Sequence, residues 1–463
     1  MQEVFLGIDI GTTAIKFGVF REGRLMIQRS ATLKTFSGEN GARYQSAQEI
    51  LAKIRATIRQ LPDETRRQVT SLSVSAPMHS CWPITSDSDT SDAIFIWSDR
   101  QAQDLMTTFK QSEAATTAYL KTGTPIHPMS PYAKIKYFRH VHRYATVKKW
   151  WGIKELVLRE LTGHARIDDA TASATGLFNL RSHQWDPEIL EELQISPDQL
   201  GEIVACTDVF PILPAIAAQL GLDQHVKIYA GASDGCLAAY AGNFSTGIAN
   251  SLTIGTSAAV RQVSSAIKLD PKRENFCYYL QPGQYVVGAP SNNGGNVLAW
   301  ASQQFARSTD DFFERLPQWL ADSPIGANGV HFMPFLNGER APYWDATKKA
   351  AFKNMTAATS QADLVRSVIE GTLLNIRALV EMVGATEQIT LSGGFFKSQV
   401  LRELTVDIIG LDGYISAANE PIAGLYDLIY PGQRQKIAAK EKVAFQPAVH
   451  QQYVQLARHY FDD

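Results

Sequence analysis

Cysteine is scarce in this chain. Only Cys81, Cys206, Cys236 and Cys277 occur among 463 residues, and no two of them stand at CxxC spacing. That excludes a disulfide-built scaffold and a cysteine zinc site of the usual spacing. The thiols are expected to be reduced, as in a cytoplasmic protein. No apolar run is long enough to span a bilayer. The N-terminal stretch enters a strand pattern without a basic region and an apolar region before it, so no secretory signal is expected. An excess of one charge is missing too. Forty-four Lys and Arg face 46 Asp and Glu, for a formal net charge of -2, and they are scattered along the chain. Neither a nucleic acid nor a membrane surface is expected as a partner. Low-complexity tracts are absent. The 45% hydrophobic content is ordinary for a globular protein, and the length predicts two or three domains.

The most informative stretch is the first twenty residues. Val4 to Ile10 is rich in apolar and β-branched residues and predicts a buried strand carrying Asp9 near its end. Gly11-Thr12-Thr13 turns the chain, and Ala14 to Phe20 predicts the returning strand. Glycine lets a ligand come close to the backbone, the threonine hydroxyls donate hydrogen bonds, and successive N–H groups in such a turn suit an anion. Lys16 adds a positive charge. A phosphate with bound Mg²⁺ would find partners throughout, with Asp9 for the metal, directly or through water. The alternative is an ordinary hairpin with an edge Asp. Strand, rather than helix, follows the glycine, so this is neither a Walker loop nor a Rossmann turn.

The hairpin has an echo. Ile254-Gly255-Thr256-Ser257-Ala258 repeats the pattern of Ile10-Gly-Thr-Thr-Ala14. Such a repeat predicts two similar lobes, each presenting a hairpin to one phosphate chain. The second copy has Thr253 where the first has Asp9, so a metal-linked carboxylate is expected in one lobe only.

Other places carry chemistry-bearing residues. Val69 to Ser75 predicts a strand running into Ala76-Pro-Met78-His79-Ser80, at the carboxyl edge where α/β sheets bind ligands. His79 either donates to a substrate hydroxyl or carboxylate or is a structural histidine. Lys227-Ile-Tyr predicts a strand that breaks at Gly231 before Asp234. Asp234 either accepts a proton from a substrate hydroxyl or caps the following helix. Gly294-Gly295 at a helix start suits a nucleotide, and Ser392-Gly393-Gly394 permits close backbone approach or is simply a turn. Ser46-Ala-Gln-Glu49 predicts a capped helix, Ser360 a long helix to about Val383, and Thr146 a long apolar helix through Leu161 that stops at Gly163.

These pieces, in this order and spacing, resemble the FGGY carbohydrate kinase family of the actin/Hsp70/sugar-kinase superfamily. The matching stretches are Asp9-Ile-Gly-Thr-Thr13, Trp97-Ser-Asp99, Ser130-Pro131 with Lys134, Gly231-Ala-Ser-Asp234-Gly235, Thr253-Ile-Gly-Thr-Ser257, Gly338 to Asp345 and Ser392-Gly-Gly394. The resemblance implies an α/β fold of two ribonuclease-H-like lobes with a cleft between them, divided here as 1–243 on the sugar side and 244–463 on the adenosine side. It implies ATP and Mg²⁺, a small-molecule sugar or sugar acid, and a homodimer. It puts the general base at Asp234 and the metal-associated carboxylate at Asp9. ATP would meet Gly11, Thr12, Thr13, Lys16, Gly255, Thr256, Gly295, Gly394 and Ser398, and the sugar would meet Met78, His79 and Asp234. Ala76-Pro-Met-His-Ser80 and His127-Pro-Met-Ser-Pro131 look most like those of bacterial gluconokinases. A pentulokinase such as xylulokinase is the alternative, and a non-catalytic ATP-binding scaffold is a further one. Two departures stand out. Arg100 is one place earlier than the family's Trp-x-Asp-x-Arg puts it, and Glu420-Pro-Ile-Ala-Gly424 replaces a Gly-Ala-Ala helix with larger residues.

Overall fold

A computed structural model describes residues 3–85, 92–416, 420–434 and 441–461. The chain divides into two compact units that interleave along the sequence. The first takes residues 1–245, 264–286 and the described part of 418–437; the second takes the rest. The family resemblance divides the chain once, after residue 243, whereas the compact units also group two later stretches with the first.

The first unit is built on a six-stranded sheet. Its order is β3 (Arg24–Thr32), β2 (Ala14–Arg21), β1 (Val4–Ile10), β4 (Ser71–Ser75), β6 (Lys227–Tyr229) and β5 (Val209–Pro211). β1 runs antiparallel to β2 and parallel to β4, and β4 runs parallel to β6. This is a ribonuclease-H-like arrangement. Every residue of β1 is buried, because helices cover both faces of the central strands. On one face, Ile50, Ile54 and Ile58 of helix Ala47–Arg59 join Val157, Leu158 and Leu161 of helix Ile153–Thr162 in a core with Leu6, Ile8 and Leu72. On the other face lies helix Pro421–Ile429. Its Ile422 sits where side chains on Gly7 or Gly18 would stand, and its Gly424 lies against the Leu237 carbonyl of helix Asp234–Thr246. The Glu420 segment therefore keeps a close helix pairing despite its larger residues. β3 is the edge, mostly exposed and carrying Arg24 and Arg29.

Thr146 does not start a helix. Lys149–Trp151 is a strand paired with Trp82–Ile84, and the helix begins only at Ile153, where Glu155 Oε2 accepts from Gly152 N–H at 2.9 Å. Trp150 is drawn into the aromatic core, stacked on Phe138, and that outweighs the helical pattern of its neighbours. Gly163 ends the helix in the left-handed conformation, as expected.

The second unit repeats the plan. Strand Asn250–Ile254 runs antiparallel to Ala258–Ser264 and parallel to Gln388–Ser392, which runs parallel to Asp412–Ile415; Glu441–Val443 closes the edge antiparallel. Helix Gln361–Val383, capped by Ser360, is its longest and almost wholly buried.

Candidate active site

In the first unit the carboxyl ends of the parallel strands gather the residues singled out above. Asp9 lies opposite Ser75 in the register, and Ala76 bridges Ser233 beside Asp234. Ser75 Oγ donates to Asp9 Oδ1 at 2.7 Å. Asp9 is 6% exposed, and burial pushes its carboxyl up to about 7, with nearby Asp234 adding to the rise while Ser75 and Lys16 oppose it. Ionising such a group is costly unless a cation stands beside it.

The hairpin turn is tied from several sides. Gly11 N–H donates to Ala14 O at 2.9 Å. The Thr12 carbonyl accepts from Gln45 Nε2 at 2.7 Å, and Thr12 Oγ1 accepts from the Trp97 indole at 3.0 Å. Thr13 stays exposed at the tip. Lys16 is not simply presented to an anion: its Nζ pairs with Glu420 Oε2 at 2.9 Å. Partial burial opposes its charge, and Glu420 more than offsets that, so the ammonium is held above its usual range.

Asp234 is the first residue of its helix, and its Oδ1 accepts from Gly235 N–H at 2.8 Å and from Met78 N–H at 3.3 Å. The carboxylate is thus fastened to the Met78–His79 turn. His79 has φ +70, a strained value for a non-glycine residue. Its Nδ1 lies 2.8 Å from the Ala174 carbonyl, which can only accept, so Nδ1 carries a proton. The ring meets Tyr278 edge-on. Lys134, 1% exposed, donates to the His79 carbonyl at 3.1 Å and to the Met129 carbonyl. Burial lowers its ammonium to about 8. Asp99 is occupied by Arg43 N–H at 3.0 Å and Gln101 Nε2 at 2.9 Å, while Arg100 is exposed. A groove of about 1230 Å³ in the same unit, lined by Phe36, Tyr44 and Arg143 among others, includes none of Asp9, Met78, His79 and Asp234.

In the second unit, Gly255 N–H donates to Ser257 O at 3.0 Å within the second hairpin. The helix Gly295–Phe305 docks on that hairpin: Gly295 N–H donates to Gly255 O at 2.8 Å and Asn296 N–H to Thr256 O at 3.0 Å. A Cβ on Gly295 would stand 2.4 Å from Gly255 O, so internal packing alone demands that glycine. The Gly393–Gly394 pair divides differently. Gly393 has φ +105, and a Cβ there would lie 2.2 Å from Ile254 O. A Cβ on Gly394, or on Gly255, would meet nothing within 4 Å among the described residues. Ser398 precedes helix Gln399–Ile409 and its side chain makes no cap bond.

The repeat extends beyond the hairpins. Thr253 lies opposite Ser392, with their hydroxyls 2.9 Å apart, at the position where Asp9 and Ser75 bond in the first unit. The sequence pattern gives neither the Ser75 nor the Ser392 side chain a role, although the serine ending each neighbouring strand is a signal once the repeat is seen. Glu339 falls in a matched stretch without a role of its own: buried, it accepts from Ser291 Oγ, Asn292 N–H and Asn375 Nδ2, at 2.6, 2.8 and 2.8 Å, and so builds the turn before Gly294.

Residues 4–241 match the N-terminal domain, and residues 250–423 the C-terminal domain, of the FGGY family of carbohydrate kinases. The chain belongs to this family. As an FGGY carbohydrate kinase it is a phosphotransferase with an alcohol group as acceptor. It is 32% identical over 450 residues to a gluconokinase of Bacillus subtilis (strain 168), covering 92% of this chain and 88% of the relative. Two solved structures from Lactobacillus acidophilus, one described as gluconate kinase and one as ligand-bound xylulose kinase, each superpose with a TM-score of 0.92 at 29% identity. Each covers 99% of this chain and 97% of the solved chain. The FGGY kinase relatives thus share its two-domain α/β fold. Among the described residues, no helix is long and apolar enough to cross a membrane.

Proposed function

We propose that this FGGY kinase transfers the terminal phosphoryl group of ATP to a terminal hydroxyl of D-gluconate, giving 6-phospho-D-gluconate. The observation that carries the chemistry is the Asp234 carboxylate, held by Met78 N–H and Gly235 N–H beside the His79 turn. In this reading Asp234 accepts the proton of the attacking hydroxyl as phosphoryl transfer proceeds. Met78 and His79 orient the sugar. The acid is favoured over a ketose by the similarity to the Bacillus subtilis gluconokinase.

The donor fits the residues present. Gly255 and Gly394 leave open the space a side chain would fill, and no packing among the described residues requires either to be glycine. Gly11, Thr12, Thr13 and Lys16 of the first hairpin, with Gly255 and Thr256 of the second, would hold the phosphates. Gly295, Gly394 and Ser398 would serve the nucleoside side, although Gly295 would do so by keeping the second hairpin in place. Asp9, buried and reluctant to ionise alone, suits a Mg²⁺ held directly or through water. When bound, that ion would neutralise charge on the transferring phosphoryl group. The proposal assigns the sugar side to 1–243, the donor side to 244–463, and the enzyme to the cytoplasm.

A D-xylulose kinase is the second reading, favoured by the Lactobacillus acidophilus structure described as xylulose kinase. An ADP-release assay across D-gluconate, D-xylulose and glycerol tests both. Turnover highest with D-gluconate is expected. Preference for D-xylulose would replace the first reading with the second, and no turnover on any sugar would remove both.

A further inference from the structure

Lys154 and Asp168 form a fully buried ion pair, Nζ to Oδ2 2.9 Å, with both side chains 0% exposed. The ammonium spends its remaining donors on backbone carbonyls: Val74 at 2.5 Å, Ala230 at 2.8 Å and Ala232, more distantly, at 3.4 Å. These carbonyls lie on the two stretches that lead into Met78–His79 and into Asp234. Val74 O is at the end of the strand that continues to Ser75 and Met78–His79. Ala230 O and Ala232 O flank Gly231 in the short link to Asp234. Gly231 has φ +74 and passes so close under Val74 that a Cβ would come within 2.2 Å of its carbonyl.

Asp168 carries the connection further. Its Oδ1 accepts from Thr171 N–H and its Oδ2 from Thr171 Oγ1, both at 2.7 Å, fixing the start of helix Asp169–Ser173. The residue after that helix is Ala174, whose carbonyl holds the His79 ring. One buried pair thus joins the segments that bear Asp234, Met78–His79 and the anchor of the imidazole. Burying two charges costs desolvation that a hydrophobic pair of similar size would avoid, so such a pair is weak evidence for stability alone.

We infer that Lys154, through Asp168, is a positioning residue for phosphoryl transfer. It sets the distance between the Asp234 carboxylate and the sugar-orienting turn. The inference rests on the reading of Asp234 as the base. Misplacement of about 1 Å in such a site costs up to about a hundredfold in rate. The effect falls on kcat, because the donor-binding residues lie on other segments.

The test replaces the pair together, Lys154→Met with Asp168→Asn, so that no lone charge is left buried. Kinetics are run with MgATP and D-gluconate, or with the sugar the panel selects. A fall in kcat of about ten- to a hundredfold is expected, with the KM for MgATP within about twofold of wild type. The control is a buried pair of the same unit that meets the Asp234 helix only near its far end: Arg434, whose Nε donates to Asp427 Oδ1 at 2.7 Å and whose Nη2 donates to Ser245 Oγ at 2.6 Å. Arg434→Met with Asp427→Asn should lower the melting temperature and leave kcat unchanged. Wild-type kcat in the Lys154/Asp168 variant overturns the inference, as does an equal loss of kcat in the control at an equal loss of melting temperature. If the double variant does not fold, Asp168→Asn alone decides, since it keeps the volume and one acceptor for Thr171; unchanged kcat there overturns the inference. Asp234→Asn is measured in parallel. Normal turnover in that variant would defeat the assignment of the base, whereas loss there with normal kcat in the Lys154 variants would defeat only the positioning role.

Discussion

Ser75 donates its hydroxyl to Asp9 Oδ1 at 2.7 Å across two parallel strands, and that single bond is the main one opposing the burial of a carboxylate that is 6% exposed. The folded state holds the Asp9 proton up to about 7, against 3.8 for an ordinary aspartate. The folded chain therefore binds more protons than the unfolded chain between about pH 4 and about pH 7, and stability falls as pH rises through that window. Asp9→Asn cannot ionise and escapes this loss. Its melting temperature relative to wild type should climb across the window and be flat on either side. Added Mg²⁺ should raise the wild-type melting temperature above about pH 7 and leave Asp9→Asn unmoved. Parallel pH profiles for the two proteins would show that Asp9 ionises normally.

Asp234→Asn keeps the acceptor for Met78 N–H and Gly235 N–H but loses the basicity. A loss of about 10²- to 10⁴-fold in kcat is expected, with MgATP binding unchanged by calorimetry. A kcat within about threefold of wild type would mean that another group takes the proton.

The two glycines after Ser392 should behave oppositely. Gly394→Ala adds a methyl group to open space, so the melting temperature should hold while the KM for MgATP rises about tenfold, equivalent to roughly 1.4 kcal/mol. Gly393→Ala must place a Cβ against Ile254 O at a φ of +105, and should lose about 1–3 kcal/mol of stability or fail to accumulate. Thermal melting beside donor kinetics distinguishes them. A Gly394→Ala enzyme with wild-type KM would remove that residue from the donor site.

His79→Asn preserves a residue type that tolerates positive φ, so the turn should survive. If the ring orients a sugar acid, the ratio of kcat/KM for D-gluconate to that for D-xylulose should drop about tenfold. An unchanged ratio would leave His79 as an anchor for Ala174 and nothing more.

What the sequence made legible was what recurs locally. The hairpin Ile10–Ala14 and its echo at Ile254–Ala258 expose the twofold plan because glycine and small hydroxyl residues sit at fixed offsets. Ser46 is read as a helix cap and does accept from Glu49 N–H at 2.9 Å. Partners remote in sequence were not legible. Nothing near Lys154 marks it as a junction, since three of its four acceptors are backbone carbonyls whose residues carry no signature. The partner of Lys16 was not legible because Glu420 lies 404 residues away. Around Trp150, helical spacing misleads because an aromatic cluster and a strand partner at Trp82–Ile84 override it.

The helix Pro421–Ile429 comes from the far end of the chain yet stacks Tyr426 on Phe20 and sets its edge against Phe5 of the opening strands. A gene cut after residue 243 would therefore encode a first half stripped of its own lid of aromatic packing, prone to aggregate even though its sheet is complete. The same holds for recombination between relatives. A crossover at that point would seat one parent's helix on the other parent's glycines Gly7 and Gly18, so viable chimaeras should be those that inherit strands 4–21 and residues 420–434 from the same parent.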